Sequence, residues 1–181
     1  GGASIKHLPV AADASAGPQT VTQRYVMRLI AAPEPVASQQ RDIQGPVLIL
    51  GDNAVAADLR AELQRRSIEV NVVPSTRDPA HLVAALVAGS RDALPKTLIL
   101  ATALDEPCPT TIDLDAWQRR RQPGLIRPYQ VCQAWVAQLG RHELLHEAAL
   151  IGVVDLGGDL GLSGELASPE GGAIAGLLKA V

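Results

Sequence analysis

Residues 47–56 read Val47-Leu48-Ile49-Leu50-Gly51-Asp52-Asn53-Ala54-Val55-Ala56. Four consecutive apolar residues stopped by a glycine are the pattern of a strand covered on both faces, as in a parallel sheet held between helices. A helical period follows at once. Val55, Leu59 and Leu63 stand four apart, which predicts a helix from about Asn53 to Arg66 with those three residues on its inner side. A strand that passes through a glycine turn into a helix opens a βαβ unit.

The alternation continues downstream. Val70-Asn71-Val72-Val73 reads as a second strand, ended by Pro74. Asp78-Pro79 is a helix opening, a side-chain cap followed by proline in the first turn. Leu82, Ala85 and Leu86 supply that helix's inner face, and Gly89 closes it. Thr97 to Ala101 is a third strand. Asp113 or Asp115 caps a short helix through Trp117 that is expected to break at Pro123-Gly124. A longer helix follows, with Leu125, Tyr129, Cys132, Val136 and Leu139 as its apolar stripe. Ala149 to Val154 is a fourth strand. A glycine-rich loop, 157–164, then leads to Ser168-Pro169-Glu170, which opens a last helix carrying Ile174, Leu177 and Leu178.

Upstream, residues 1–19 are small and polar without a sustained period and read as a linker or tail. Thr20 to Ile30 alternates, with Val21, Tyr25, Met27 and Leu29 on one parity, and predicts a half-buried N-terminal strand. Pro33 and Pro35 end it. The expected architecture is α/β: a truncated Rossmann-like parallel sheet of about four strands over 20–181, with the extra N-terminal strand and helices on both faces. A complete doubly wound dinucleotide fold uses two βαβαβ halves, so this pattern reads as one half.

Composition narrows the function. The chain has 181 residues, of which 47% are hydrophobic and only 2% aromatic. Sixteen Lys and Arg face nineteen Asp and Glu, a net charge of -3. A nucleic-acid groove needs a basic surplus and aromatic stacking platforms, and both are lacking. Mean hydropathy is +0.13, yet no apolar run approaches the roughly 18 residues of a membrane span. The first thirty residues carry no secretory pattern, and Cys108 and Cys132 lack metal-type spacing. Both cysteines are expected as reduced thiols in a cytoplasmic protein.

Three constellations bear on chemistry. A dinucleotide cradle needs glycine at three points of the first strand-to-helix turn. Gly51 supplies the first and Ala56 is an acceptable third, but Asn53 stands at the second, where a side chain fills space the phosphates need. Asp52 adds a negative charge beside the expected anion position. The ribose-binding acid is absent after the second strand, where Pro74 and Ser75 stand. Arg77 is the one candidate for a 2′-phosphate there. The turn therefore reads as degenerate. A short-chain-dehydrogenase centre pairs a tyrosine with a lysine one helical turn later. Tyr25 is followed at that distance by Leu29 and Tyr129 by Gln133, so that chemistry is absent.

His142-Glu143-Leu144-Leu145-His146 matches H-E-x-x-H, which on a helix sets two imidazoles on one face with a glutamate as general base. Glu165 or Glu170 would be the third ligand of such a zinc hydrolase. Gly140 and the nearby fourth strand argue for a helix end and for solvent-exposed histidines. Arg119-Arg120-Arg121 with Arg127, beside Trp117, reads as a solvated helix end or, alternatively, a docking patch for a carrier protein or neighbouring domain.

Arg24-Tyr25-Val26-Met27-Arg28-Leu29, the stretch from Asp115-Ala116-Trp117 to Gln133-Ala134-Trp135, and the stretch from Leu156-Gly157-Gly158-Asp159 to Gly171-Gly172-Ala173 resemble the ketoreductase region of bacterial type I polyketide synthases. The ending Gly172 to Lys179 is similar to the segment just before that region's catalytic half. The resemblance covers about residues 20–181 and implies the non-catalytic structural subdomain, a truncated Rossmann fold that braces the catalytic one. It implies NADPH and the Ser, Tyr, Lys and Asn residues in the catalytic half, which reduces β-ketoacyl thioesters on an acyl carrier protein. No catalytic, cofactor-binding or metal residue carries over to this chain. The partners implied are the catalytic subdomain of the same polypeptide and the carrier protein, with no nucleic acid and no membrane. The face carrying Ile174, Leu177 and Leu178 is expected to pack on the catalytic half. The alternative is a stand-alone nucleotide-binding domain using Gly51 and the 157–164 loop, with the zinc hydrolase through His142 and His146 behind it.

Overall fold

The computed structural model describes residues 3–7, 25–29, 42–43, 45–75, 78–105, 113–155 and 168–180. The chain divides into two compact units, Gly1–Arg41 and Asp42–Val181. In the first, β1 (Ala3–His7) pairs antiparallel with β2 (Tyr25–Leu29), Ala3 opposite Leu29 and His7 opposite Tyr25. The strand expected at 20–30 is present over its described residues, Tyr25–Leu29. Ala3–His7, within the stretch 1–19 expected as a linker or tail, is a strand.

The second unit holds a four-stranded parallel sheet in the order β4-β3-β5-β6. β3 is Val47–Leu50, β4 is Val70–Val73, β5 is Thr97–Leu100 and β6 is Ala149–Gly152. In register, Val47 lies beside Val70 and Thr97, and Thr97 beside Ala149. The two inner strands are β3 and β5, and all eight of their residues are buried, which accounts for their apolar runs, Thr97 being the one polar member. The edge strand β4 alternates instead, with Asn71 exposed.

Strand parity sends side chains to two cores. Val47, Ile49, Ile99 and Ala101 meet Ala56 and Leu63 of α1 (Ala54–Arg65) on one face. Leu48, Leu50, Leu98 and Leu100 meet α2 (Pro79–Ala88), α4 (Arg127–Arg141) and α5 (Pro169–Ala180) on the other. The sides follow from the strand order. The β3-to-β4 crossover moves one way along the sheet and the β4-to-β5 crossover moves back past β3. Both stay right-handed only if α1 and α2 cover opposite faces. This is the helix-covered, truncated Rossmann-like layer expected from the sequence.

Details differ from the sequence reading. In α1 the buried residues are Ala56 and Leu63, with Leu59 partly buried; Val55 is 39% exposed. Asp113 caps α3 (Leu114–Arg121) by accepting from the Ala116 N–H at 2.7 Å. The helix does not break at Pro123-Gly124. A π-helical turn, Gln122–Ile126, carries it into α4, because a wider turn accommodates the ring of a proline that has no N–H to donate. The inner face of α4 is Val131, Cys132, Trp135, Gln138 and Leu139, while Tyr129 is 54% exposed. Trp135 is buried and donates its indole N–H to the Pro95 carbonyl at 2.6 Å.

Ile174 is buried in the chain's own core, and Leu177 and Leu178 pack against it. Their face covers β6, whose Gly152 gives them room. Ile174, expected on a docking face, is thus a core residue of this chain, while Leu177 and Leu178 are partly buried. Among the described residues no helix is long and apolar enough to cross a membrane.

Candidate functional site

Ligands of open α/β sheets sit beyond the carboxyl ends of the strands, where neighbouring crossovers diverge. Here that point lies between β3 and β5. Gly51, leaving β3, adopts φ +153°, and a Cβ there would come within 3.1 Å of the Ala101 Cβ. Glycine is required by this close approach and by the backbone angle. Asn53 is the cap of α1. Its side-chain oxygen accepts from the Ala56 N–H at 3.0 Å, satisfying one of the orphan donors of the first turn. Its Nδ2 donates to the Ala101 carbonyl at 2.9 Å and to Asp105 Oδ1 at 2.6 Å.

Asp105 holds the centre of this arrangement. Its Oδ1 also accepts from the Asp52 N–H at 2.9 Å, and its Oδ2 accepts from the Ser75 hydroxyl. A carboxylate thus lies across the amino end of α1, where the helix dipole favours negative charge. Donors that would face a pyrophosphate instead face the chain's own anion. The Asn53 side chain stands at the second glycine position, as the sequence reading expected. The charge at the cradle is different: Asp52 contributes its backbone N–H, and Asp105, three residues past Thr102 in the turn after β5, contributes the carboxylate. A pyrophosphate does not fit this cradle.

Ser75 stands where a ribose-binding acid was sought. It is 4% exposed, its hydroxyl engages Asp105, and its carbonyl accepts from Arg127 Nη1 at 2.8 Å. Arg77 and the glycine-rich loop 157–164 lie outside the described residues. So does Cys108. Cys132 is a free, buried cysteine, and burial pushes its thiol pKa up.

Opposite the cradle, Glu170 opens α5 with its carboxylate buried, only 3% of the residue being exposed. Arg120 grips it with two bonds, Nε to Oε1 at 2.8 Å and Nη2 to Oε2 at 3.0 Å. The Ser168 hydroxyl donates to Oε2. Burial alone would raise the Glu170 pKa. The hydrogen bonds from Arg120 and Ser168 outweigh it and hold the carboxyl below its usual range. Arg120 is therefore not part of a solvated basic end, and Arg127 is engaged as well; Arg119 and Arg121 remain exposed.

His142, Glu143 and His146 do not form a helical metal motif. α4 ends at Arg141, His142 is its cap residue with ψ near 6°, and Glu143 has φ +60°. The i,i+4 spacing therefore no longer stacks two imidazoles on one face. His146 lies in a short 3₁₀ turn, its side chain 75% exposed and 3.6 Å from Glu147 Oε1. Glu165 is outside the described residues, and Glu170 is bound to Arg120. Among the described residues no group of three His, Cys, Asp or Glu side chains is placed to hold a metal.

No family model, curated protein or solved structure matches the chain.

Asp105 and Glu170 carry no signal in the sequence as structural anchors. Asp105 lies in a loop without periodicity, and its partners are 30 to 53 residues away. Such long-range pairs carry no local signal.

Proposed function

We propose that the chain is a non-catalytic structural subdomain of a polyketide synthase ketoreductase, bracing an NADPH-dependent catalytic half that reduces β-ketoacyl thioesters on an acyl carrier protein. The observation that carries this reading is the Asp105 carboxylate seated on the amino end of α1 and held by Asp52, Asn53 and Ser75. A layer whose phosphate position is filled by its own side chain keeps the Rossmann-like scaffold without its cofactor chemistry. The sequence pattern agrees, since neither tyrosine has a lysine one turn later. In this reading NADPH and the reducing residues belong to the catalytic half, the partners are that half and the carrier protein, and the location is the cytoplasm.

Calorimetric titration with NADPH tests the cofactor side: the expected result is no heat of binding to this chain, and micromolar affinity overturns it in favour of a nucleotide-binding domain. The bracing side is tested by adding the chain in trans to a ketoreductase catalytic half. The expected result is a raised Tm and a higher rate of β-ketoacyl thioester reduction. An unchanged catalytic half refutes bracing.

A further inference from the structure

β4 lies at one edge of the sheet, and among the described residues no strand pairs with its outer side. Its ladder with β3 fixes which backbone groups are left over. The Val47 N–H donates to the Glu69 carbonyl at 2.8 Å, and the Gly51 N–H donates to the Val73 carbonyl at 3.0 Å. Bonding sides alternate along a parallel strand, so Glu69, Asn71 and Val73 bond to β3, while Val70 and Val72 turn their N–H and C=O groups outward. Native edges are commonly blunted by a charged side chain, a proline or a bulge. The four residues of β4, Val70-Asn71-Val72-Val73, carry no charge and no proline, and their register with β3 has no bulge.

A second feature lies on the same edge. A crevice of about 160 Å³ is lined by Leu82, Ala85 and Leu86 of α2 and, on the β4 side, by the exposed Glu69 and Asn71. At about 30 Å³ per water it holds roughly five waters, or the four carbons of one leucine side chain. Asn71 stands beside Leu48 in register, so its side chain shares the sheet face that α2 covers. A residue opposite Asn71 on an added strand projects to that face as well, next to the crevice. An open backbone edge with a side-chain recess in register is the arrangement that recognises an extended peptide by strand addition.

The edge itself selects the occupant. A second copy of β4, paired about a twofold at Asn71, puts another asparagine where the recess is apolar. The neighbouring registers oppose Val70 with Pro74, which has no N–H, or Asn71 with the Glu69 carboxylate. The lining of the crevice contains no cation to offset Glu69. On an antiparallel partner, the residue two places after the one opposite Asn71 lies opposite Glu69, and a basic side chain there is complementary.

We propose that the β4 edge binds an extended segment of a partner protein, antiparallel, with an aliphatic side chain opposite Asn71 entering the crevice and a lysine or arginine two residues later facing Glu69. Val70 and Val72 each donate one backbone hydrogen bond to the segment and accept one from it. The site stands whether or not the chain braces a reductase.

The probe is the capped peptide acetyl-Thr-Thr-Leu-Thr-Lys-Thr-amide, titrated into the full chain and followed by backbone amide NMR. The expected result is saturable shifts at Val70, Val72 and Ala85. Alanine in place of the peptide's leucine is expected to weaken binding about tenfold, or about 1.4 kcal/mol. N-methylation of the threonine between leucine and lysine, whose amide bonds to Val70, is expected to abolish binding, whereas N-methylation of the leucine, whose amide points away from β4, retains it. Glu69→Lys, an exposed substitution, is expected to weaken the lysine peptide about threefold and to favour a peptide with glutamate in its place. Absence of saturation, equal affinity of the leucine and alanine peptides, or an equal response to the two methylations each overturns the proposal. So do shifts at Val70 and Val72 that follow the concentration of the chain alone and that peptide does not reverse, because they assign the edge to a second copy. The peptide series needs no change in the chain and decides alone should Glu69→Lys fail to fold.

Discussion

Replacing Asp105 by alanine removes the acceptor that three donors share: the Asp52 N–H at 2.9 Å, Asn53 Nδ2 at 2.6 Å and the Ser75 hydroxyl. A hydrogen bond to a charged partner contributes about 1.5–3 kcal/mol, so three fully buried, independent bonds would sum to about 4.5–9 kcal/mol. The site does not meet either condition. Asp52 is exposed and Asp105 half-buried, so water enters and replaces part of what is lost. The three donors also share one group, and their effects do not add. About 2–4 kcal/mol remains, which for a unit of this size lowers Tm by roughly 6–15 °C. Asp105→Asn should cost about 1 kcal/mol, because its carbonyl still faces Asp52 and Asn53 while its amide donates to the Ser75 oxygen. Thermal and urea unfolding of both variants measure these costs. A second arm separates the anion's role from its packing. Inorganic phosphate should raise the Tm of Asp105→Ala more than that of the unaltered chain, since binding to the emptied cradle stabilises only the folded state. An Asp105→Ala variant within about 0.5 kcal/mol of the parent would place it in the range of ordinary surface substitutions and refute the argument.

Four further substitutions test the packing of the second unit. Glu170 has a lowered pKa, so its contribution to stability is complete above the ordinary glutamate value of about 4.3 and is lost as pH falls through the folded-state pKa. Glu170→Gln should flatten acid unfolding in that window and cost about 3 kcal/mol at neutral pH by leaving the Arg120 guanidinium, only 12% exposed, without its carboxylate. Gly124→Ala should destabilise by about 1–3 kcal/mol, because the new Cβ would meet Glu170 Cγ at 2.7 Å and Arg120 and Ser168 prevent that side chain from moving aside. Gly172→Ala in α5 meets nothing within 4 Å and should instead stabilise by up to about 1 kcal/mol; chemical denaturation of the pair reads both signs. Trp135→Phe, which removes the donor to the partly buried Pro95 carbonyl, should cost about 1 kcal/mol by the same measurement.

How much of this was legible in the sequence depends on range. The β3 and β5 runs announced themselves because inner parallel strands bury both parities, and the Asp78-Pro79 opening did because a cap and a first-turn proline act within four residues. The α3–α4 junction misled for a physical reason. Pro123 is a helix breaker only when the turn must stay α-helical, and the structure widens it instead. The α4 stripe was legible in part: Cys132 and Leu139 are buried and Val136 packs on the core, whereas Tyr129 goes out and Trp135 and Gln138 go in. Hairpin pairing across residues 3–7 and 25–29 had no signal on its first side, where small and polar residues lack a period.

The cradle shows why one motif can be read correctly for an incomplete reason. Asn53 in place of the second glycine was enough to argue against a dinucleotide, since a side chain there takes the phosphates' room. Steric exclusion alone leaves unsatisfied donors at the start of α1, and a helix end without partners is costly. Something must accept from Asp52 and from the Asn53 amide, and the chain supplies Asp105 from the next crossover. The same carboxylate ties β4's exit at Ser75 to the turn after β5, so filling the amino end of α1 and fastening the carboxyl edge of the sheet are done by one side chain. A cradle merely blocked by Asn53 would tolerate loss of Asp105; a cradle rebuilt around an internal anion would not.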